Sequence, residues 1–383
     1  MANAVATDAA VTEARARRPT AHVRLRRLDF DDRAALGMWA AAHLALFTLA
    51  WAASWAYRGT PGHAPLTGAF QHWDAVIYQA IAQHGYFSPH SAANSIVMFP
   101  GFPIVLAGAH LALRNWTLSE LIVSAVAGCF AVVSLTRLAG GRRAVLYLLA
   151  MPMAVFLMVG YAECLFLALA IPAWRAATQG RWHRAALLAA LAGLVRPDGV
   201  FLVCALAVMA LTGPRGHRIR GAAIACLAFT GPAAYEAYLW ASTGAWNAWP
   251  EANQKGWDLH LATPVQALKA TWWAAFEHPY SAAYSFEFQL EIAAMAVMVV
   301  ATLAFVWGRR WPEAVYCGLP VLMLGTQTWY QTAPRTLLVL FPVWVALASL
   351  EARRPWVRVT YLSVCAPLAG VIGFLFLAYQ WVG

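Results

Sequence analysis

Residues 36–57 read LGMWAAAHLALFTLAWAASWAY. The run holds no Asp, Glu, Lys or Arg. As a helix it is long enough to cross the roughly 30 Å of a bilayer core, which takes about 20 residues. Similar apolar runs recur near 118–138, 221–240, 292–307 and 359–378, with shorter ones paired within 144–178, 185–212 and 313–350. The chain is 61% hydrophobic and 11% charged, whereas soluble proteins average roughly 25% charged. No segment alternates apolar and polar residues as a membrane-barrel strand does. The expected fold class is an all-α polytopic membrane protein, with membrane lipid as its first partner. Cys129, Cys164, Cys204, Cys226, Cys317 and Cys365 fit no metal or redox spacing and read as small apolar filler. The net charge of +10 is scattered between apolar runs, so no nucleic-acid partner is expected.

Residues 1–34 are polar and Arg-rich and lack the apolar core of a removable signal. They read as a disordered cytoplasmic tail ahead of a single transmembrane domain over 35–383. Cytoplasmic loops collect arginine and lysine near span ends. The clusters here are Arg15 to Arg33; Arg137, Arg142 and Arg143; Arg175, Arg181 and Arg184; Arg215, Arg218 and Arg220; Arg309 and Arg310; and Arg353, Arg354 and Arg358. Keeping every cluster inside requires an even number of crossings between successive clusters. That rule predicts about 11 spans, with a first external loop over 58–117. The segment Phe99–Leu113 then cannot cross. It reads as a juxtamembrane or re-entrant helix broken by Pro100 and Pro103. Hairpin tips fall at Gly160–Glu163, Val195–Gly199 and Trp329–Arg335. A second external loop, about 242–289, is rich in aromatics such as Trp246, Trp249, Trp257, Trp272, Trp273 and Tyr284. These suit an interfacial belt or stacking on sugar faces.

Just beyond the first span lies FQHWDAVIYQAIAQHGY at 70–86, followed by MFPGFP at 98–103. It carries one carboxylate, Asp74, among His72, Trp73, Tyr78, His84 and Tyr86. The predicted outer side holds only four arginines: Arg58, Arg114, Arg196 and Arg335. Asp74, Glu163, Arg196, Asp198 and Arg335 therefore gather at external tips, and ionisable groups near membrane depth are functional candidates. Asp74 reads either as a general base or as an interfacial carboxylate paired with a basic neighbour. Arg196 and Arg335 read either as ion-pair partners of Glu163 or Asp198 or as forks for phosphate oxygens. His72 and His84 lack the compact spacing of metal ligands, so no metal site is assigned.

These motifs resemble a family. His-Trp-Asp-Ala at 72–75, Ile-Ala-Gln-His-Gly-Tyr at 81–86 and Phe-Pro-Gly-Phe-Pro at 99–103 resemble the first luminal loop of the phosphatidylinositol-glycan class V (PIG-V) mannosyltransferases. Tyr-Ala-Glu at 161–163, Leu-Val-Arg-Pro-Asp-Gly at 194–199 and Ala-Pro-Arg-Thr at 333–336 resemble later motifs of that family, in the same order. Val76 and Ile77 depart from its acidic and aromatic continuation, and Arg-Pro-Asp stands for Arg-Ser-Asn.

The resemblance implies a GT-C glycosyltransferase bundle of about 11 transmembrane helices, with Asp74 as the functional carboxylate. It also implies a polyprenyl-phosphate-mannose donor and a glycolipid or glycan acceptor. Arg196, Arg335, Glu163, Asp198, His72, Trp73, Tyr78 and His84 are then expected to bind substrate or phosphate. No cofactor is required, although a divalent metal can take part of the arginine role. The Ala- and Arg-rich composition points to a bacterial plasma membrane, with the site facing outside. The alternatives are a related enzyme using another polyprenyl-phosphate sugar and a non-enzymatic lipid or sugar transporter. A transporter calls for ionisable groups at mid-span and internal repeats.

Overall fold

The computed structural model describes residues 28–56, 68–92, 94–277 and 280–382. The Arg-rich tail up to Arg27 and the outer Arg58 lie outside the described residues. Residues 31–383 form one compact unit; of the other, 1–30, only 28–30 are described.

Among the described residues there is no strand, and the chain runs through helices. They are α1 (Phe30–Ala56), α2 (Asp74–His84), α3 (Gly101–Leu113), α4 (Trp116–Ala139), α5 (Arg143–Leu149), α6 (Val155–Met158) and α7 (Glu163–Thr178). Next come α8 (Trp182–Val195), α9 (Gly199–Thr212), α10 (Arg218–Cys226), α11 (Thr230–Thr243), α12 (Ala248–Trp257) and α13 (Pro264–Phe276). The last five are α14 (Ala282–Trp307), α15 (Trp311–Gly325), α16 (Ala333–Val339), α17 (Phe341–Glu351) and α18 (Trp356–Leu377). Four helices, α1, α4, α14 and α18, are long and apolar enough to cross a membrane. Two bent pairs, one ending in α7 and one formed by α16 and α17, raise this to six if each pair is a single span. The protein is an all-α integral membrane protein.

Two readings of the chain gain detail in the structure. The 242–289 segment is largely helical: α12 and α13 lie within it, and α14 begins at Ala282. Its Glu and Gln residues lower the local hydropathy without breaking the helix, so the apolar run at 292 marks only the greasier part of α14. In α3, Pro103 does not break the helix. It lies in the first turn, where the missing N–H has no intrahelical partner to lose.

Small residues bring the central helices together. Ala170 and Ala173 on α7, and Ala185, Ala189 and Ala192 on α8, are fully buried, and the two helices pack side by side. Alanine at these positions lets backbones approach closely, which is how helices associate where lipid removes the hydrophobic drive. The approach is also close where α8 turns into α9. A Cβ on Gly199 would collide with Gly193 Cα and come within 2.7 Å of Gly193 N, both backbone atoms that cannot swing aside. Gly199→Ala is expected to cost about 1–3 kcal/mol by overpacking. A lowered thermal midpoint of the solubilised protein checks this, and an unchanged midpoint would mean that the hairpin is looser than described.

The two ends of the bundle differ in chemistry. At one end Arg137 pairs with Asp32 at 2.7 Å, Arg142 pairs with Asp31 at 2.7 Å, and Glu351 faces Arg143 and Arg358 at 3.6 and 3.5 Å. Two long helices start or finish there and reach the other end. On α4, Arg137 lies near the last turn and Glu120 in the first two turns, where Gln71 Nε2 donates to Glu120 Oε2 at 3.1 Å. On α18, Arg358 lies in the first turn and the Phe376 carbonyl near the last. Asp74 and its neighbours occupy the end opposite the arginine pairs.

Candidate active site

Three carboxylates stand at the beginnings of three helices. Asp74 opens α2, Glu163 opens α7, and Asp198 is the residue before α9. Helix N-termini carry partial positive charge, which favours carboxylates there. Each start follows a sharp break. Before α2, Trp73 takes φ 56° and ψ −129°, a left-handed conformation that a bulky residue adopts only under strain, typically 1–3 kcal/mol. Its indole packs edge-on to Trp381 at 4.9 Å. Before α7 the chain bends by 93°. Gly160 is required in that bend, because a Cβ there would lie 2.8 Å from both Glu120 Cβ and Oε2.

Two arginines join the carboxylates into one chain. Arg335, in the first turn of α16, donates from Nη1 to Asp74 Oδ2 at 2.7 Å. It also donates from Nε and Nη2 to Glu163 Oε1 at 3.0 and 2.8 Å. Arg196 donates from Nη1 to the same Glu163 oxygen at 2.8 Å and from Nε to Asp198 Oδ2 at 2.9 Å. The order is Asp74–Arg335–Glu163–Arg196–Asp198. Glu163 is fully buried, and Asp74 and Arg335 are each 7% exposed. The Arg335 guanidinium also lies 4.8 Å from the Phe156 ring centroid and 4.9 Å from that of Tyr161, a cation–π arrangement. With every member ionised, three carboxylates against two guanidiniums leave one negative charge. Both arginines are thus engaged as ion-pair partners, one of the two readings their sequence positions allow.

The remaining residues of the motif divide. Tyr78 is buried beside the ion-pair chain, its ring 5.0 Å from Phe102. Burial first, then the negative charges of Asp74 and Glu163, raises its phenol well above the ordinary value, so it stays protonated. His72 is buried but turned toward the last helix. Its Nε2 donates to the Phe376 carbonyl at 2.8 Å, and its ring lies 4.4 Å from that of Phe376. His84 is exposed and packs on His90 at 5.0 Å, outside the ion-pair chain. Among the described residues no group of three or more His, Cys, Asp or Glu is placed to share a metal ion.

The His72 environment sets a pH dependence. Burial lowers its proton affinity below the ordinary 6.5, more than the backbone hydrogen bonds raise it. Below about 6.5 the unfolded chain therefore binds the proton that the folded chain resists, and stability rises with pH. The expected stability is flat above pH 6.5 and declines as pH falls toward the lower folded value. His72→Gln is expected to flatten that slope in thermal unfolding between pH 7 and 5, and an unchanged slope would place the sensitivity elsewhere.

Asp74 and Arg335 share the wall of a cavity of about 150 Å³. Pro197, Trp249, Trp257, Gln331 and Trp381 line it with them. A second, mostly apolar cavity of about 370 Å³ lies against Pro100, Pro103, Ile104, Tyr235 and Tyr238. Val97 and Met98 line the first cavity, and carbonyls of the 96–98 segment are gripped by Tyr235, which lines the second. Its hydroxyl reaches the Ile96 and Met98 carbonyls at 2.7 and 3.1 Å. Of the aromatic residues at 242–289, Trp249 and Trp257 face the first cavity, whereas Trp246, Trp272 and Trp273 are exposed. The sequence reading missed Trp381 and Gln331, which lie near the C-terminus and at a hairpin tip without any local motif. It also missed Glu287 and Glu291, two acids standing beside an apolar run.

No family model matches the chain. Among curated proteins, the chain is similar to GPI alpha-1,6-mannosyltransferase 2 of Rattus norvegicus, with 35% identity over 159 residues. That alignment covers 36% of this chain and 31% of the relative. The Mus musculus protein of the same name is 35% identical over 156 residues, 35% of this chain and 30% of the relative. For the Homo sapiens protein the values are 34% over 159 residues, 36% and 31%. The match spans about a third of the length of these relatives, and over that part the chain is similar to a GPI mannosyltransferase.

Proposed function

We propose that this protein is a membrane mannosyltransferase. It moves mannose from polyprenyl-phosphate-mannose to a hydroxyl of a lipid-linked or glycan acceptor, with inversion at the anomeric carbon. The observation that carries this reading is Asp74, which lines a cavity while one of its oxygens is held by the buried Arg335. A fixed carboxylate with cavity access is what a general base requires. In the reaction Asp74 takes the proton of the acceptor hydroxyl. The freed oxygen attacks the anomeric carbon, and the bond from that carbon to the phosphate oxygen breaks. Polyprenyl phosphate leaves with the electron pair. Phosphate is a stable anion, so no second carboxyl group has to protonate the leaving oxygen, unlike in glycoside hydrolysis.

Arg335 has two roles in this scheme. It orients Asp74, and it presents positive charge to the same cavity where charge grows on the phosphate. Glu163, Arg196 and Asp198 hold Arg335 in place. The apolar cavity at Pro100, Pro103 and Ile104 suits the polyprenyl chain. The positive-inside rule puts the arginine-rich end in the cytoplasm and so the site outside, in a bundle of about 11 crossings in a bacterial plasma membrane. The one connected chain from Asp74 to Arg196, with Asp74 and Arg335 on the wall of one cavity, supports an enzyme over a transporter, whose groups line opposite halves of a path. The test is transfer of radiolabelled mannose from polyprenyl-phosphate-mannose into lipid extract by the purified chain. Incorporation with an α-linked product from a β-linked donor is expected. Folded protein that transfers none would sink the proposal.

A further inference from the structure

Next to the Asp74 cavity lies a larger one, of about 540 Å³, lined by residues of α12, α14 and the chain before α16. The two share Trp257, Gln331 and Trp381. Its volume falls within the roughly 300–1,000 Å³ of small-molecule sites. Glu287 and Glu291 line it and are only 3% and 4% exposed. Neither oxygen of Glu287 has a hydrogen-bond partner among the described residues, and neither does Oε2 of Glu291. The two acids are one helical turn apart on α14, so their side chains sit on one face, about 5–6 Å apart at Cβ. A buried polar atom without a partner is costly, and two such acids on one face add to the cost. No arginine or lysine comes within ion-pair distance of either acid among the described residues, although Lys255 lines the same cavity and the charge of Arg335 acts on Glu287 from outside it. Rings of Trp257, Phe288 and Trp329 stand around the same space.

We infer that this cavity is the acceptor's sugar subsite. Glu287 and Glu291 accept hydrogen bonds from the hydroxyl or ammonium groups of a glycan that carries no negative charge. The inference rests on the mannosyltransferase reading and deepens it. Three unpartnered carboxylate oxygens call for a ligand dense in donors, and the indoles offer flat apolar faces for sugar C–H groups. A phosphorylated or uronic sugar meets two buried acidic groups and no cation within ion-pair distance of them, and is rejected. The shared residues Trp257, Gln331 and Trp381 make the passage by which an acceptor hydroxyl reaches Asp74. The donor's phosphate is kept out of this side and confined to the wall held by Arg335.

The test uses the full chain in nanodiscs, with EDTA present, and reads tryptophan fluorescence as a neutral α-mannobiose is added. The comparison probe is the same disaccharide bearing a phosphate monoester. The wild type is expected to bind the neutral probe at least about ten-fold more tightly than the phosphorylated one. In Glu287→Gln with Glu291→Gln that preference is expected to fall to near one. Glu287→Ala is expected to weaken neutral binding by about ten-fold or more. Thermal unfolding should hold in the Gln variants, because Gln keeps the size of Glu and Glu287 gives up no hydrogen-bond partner. Absence of saturable binding in the wild type, an unchanged preference in the Gln pair, or binding that appears only when Mn²⁺ replaces EDTA would each overturn the inference. No donor is present, so the readings separate. Binding with this preference but no mannose transfer leaves the subsite and removes the proposed reaction. Transfer with unchanged acceptor KM in Glu287→Gln removes the subsite alone.

Discussion

Asp74→Asn is expected to lower mannosyl transfer by about 10²–10⁴-fold, the usual worth of a positioned general base, while the protein stays folded. The amide keeps the size of the carboxylate and can still accept from Arg335 Nη1, which now lies 2.7 Å from Oδ2. Arg335 also keeps both of its bonds to Glu163. The loss therefore belongs to proton transfer and not to collapse of the ion-pair chain. The kinetic signature should be a fall in kcat with little change in the KM of either substrate, because the lost interaction is made in the transition state. Asp74→Glu is a useful companion. It restores the base but displaces it by about one methylene, so a rate between wild type and Asn is expected. Equal transfer by wild type and Asp74→Asn would remove Asp74 from the chemistry and leave it a structural partner of Arg335.

How far the sequence reveals this arrangement depends on the kind of signal. Apolar runs are read by length alone, so α1, α4 and α18 are legible to within a few residues. The start of α14 is not, since Glu287, Gln289 and Glu291 depress hydropathy in its first turns while the helix continues. The same residues are the ones left unpartnered in a cavity. A polar interruption at the end of a span is thus easily taken for a loop when it is a lined pocket. Charge bookkeeping points to Asp74, Glu163, Arg196, Asp198 and Arg335, because an isolated charge at a hairpin tip needs a partner somewhere. It does not reveal the pairing order, nor that one oxygen of Glu163 receives both arginines. That order follows from three breaks converging in space, and no local pattern encodes such convergence. His84 illustrates the opposite error. It sits in the most distinctive motif, yet α2 carries it away from Asp74, because ten residues of helix separate them by about 15 Å.

Arg335→Leu is expected to be the most destabilising single change at the site, by about 3–5 kcal/mol, the usual cost of removing one partner from a buried ion pair. It strips Asp74 of its bond and Glu163 of two, and leaves Phe156 and Tyr161 facing an alkyl chain in place of a cation. Arg335→Lys should recover only part of this. A compact ammonium cannot present the planar fork that now reaches carboxylates on two different helices. The more telling variant pairs Arg335→Leu with Glu163→Leu. Leucine at both positions removes the fully buried charge together with its partner, and replacement of a buried pair by apolar groups is often close to neutral. Asp74 then loses its partner but retains its cavity face, and Arg196 retains Asp198 at 2.9 Å. The double variant should therefore unfold at a higher temperature than Arg335→Leu alone, with a coupling of about 0.5–3 kcal/mol in the double-mutant cycle. It should nonetheless transfer no more mannose than the single variant, since Asp74 is no longer oriented. Thermal unfolding and transfer measured on the same preparations check both halves. Additive losses of stability would mean that Arg335 and Glu163 do not act as one unit, and the ion-pair chain would then not be what holds Asp74 at the cavity.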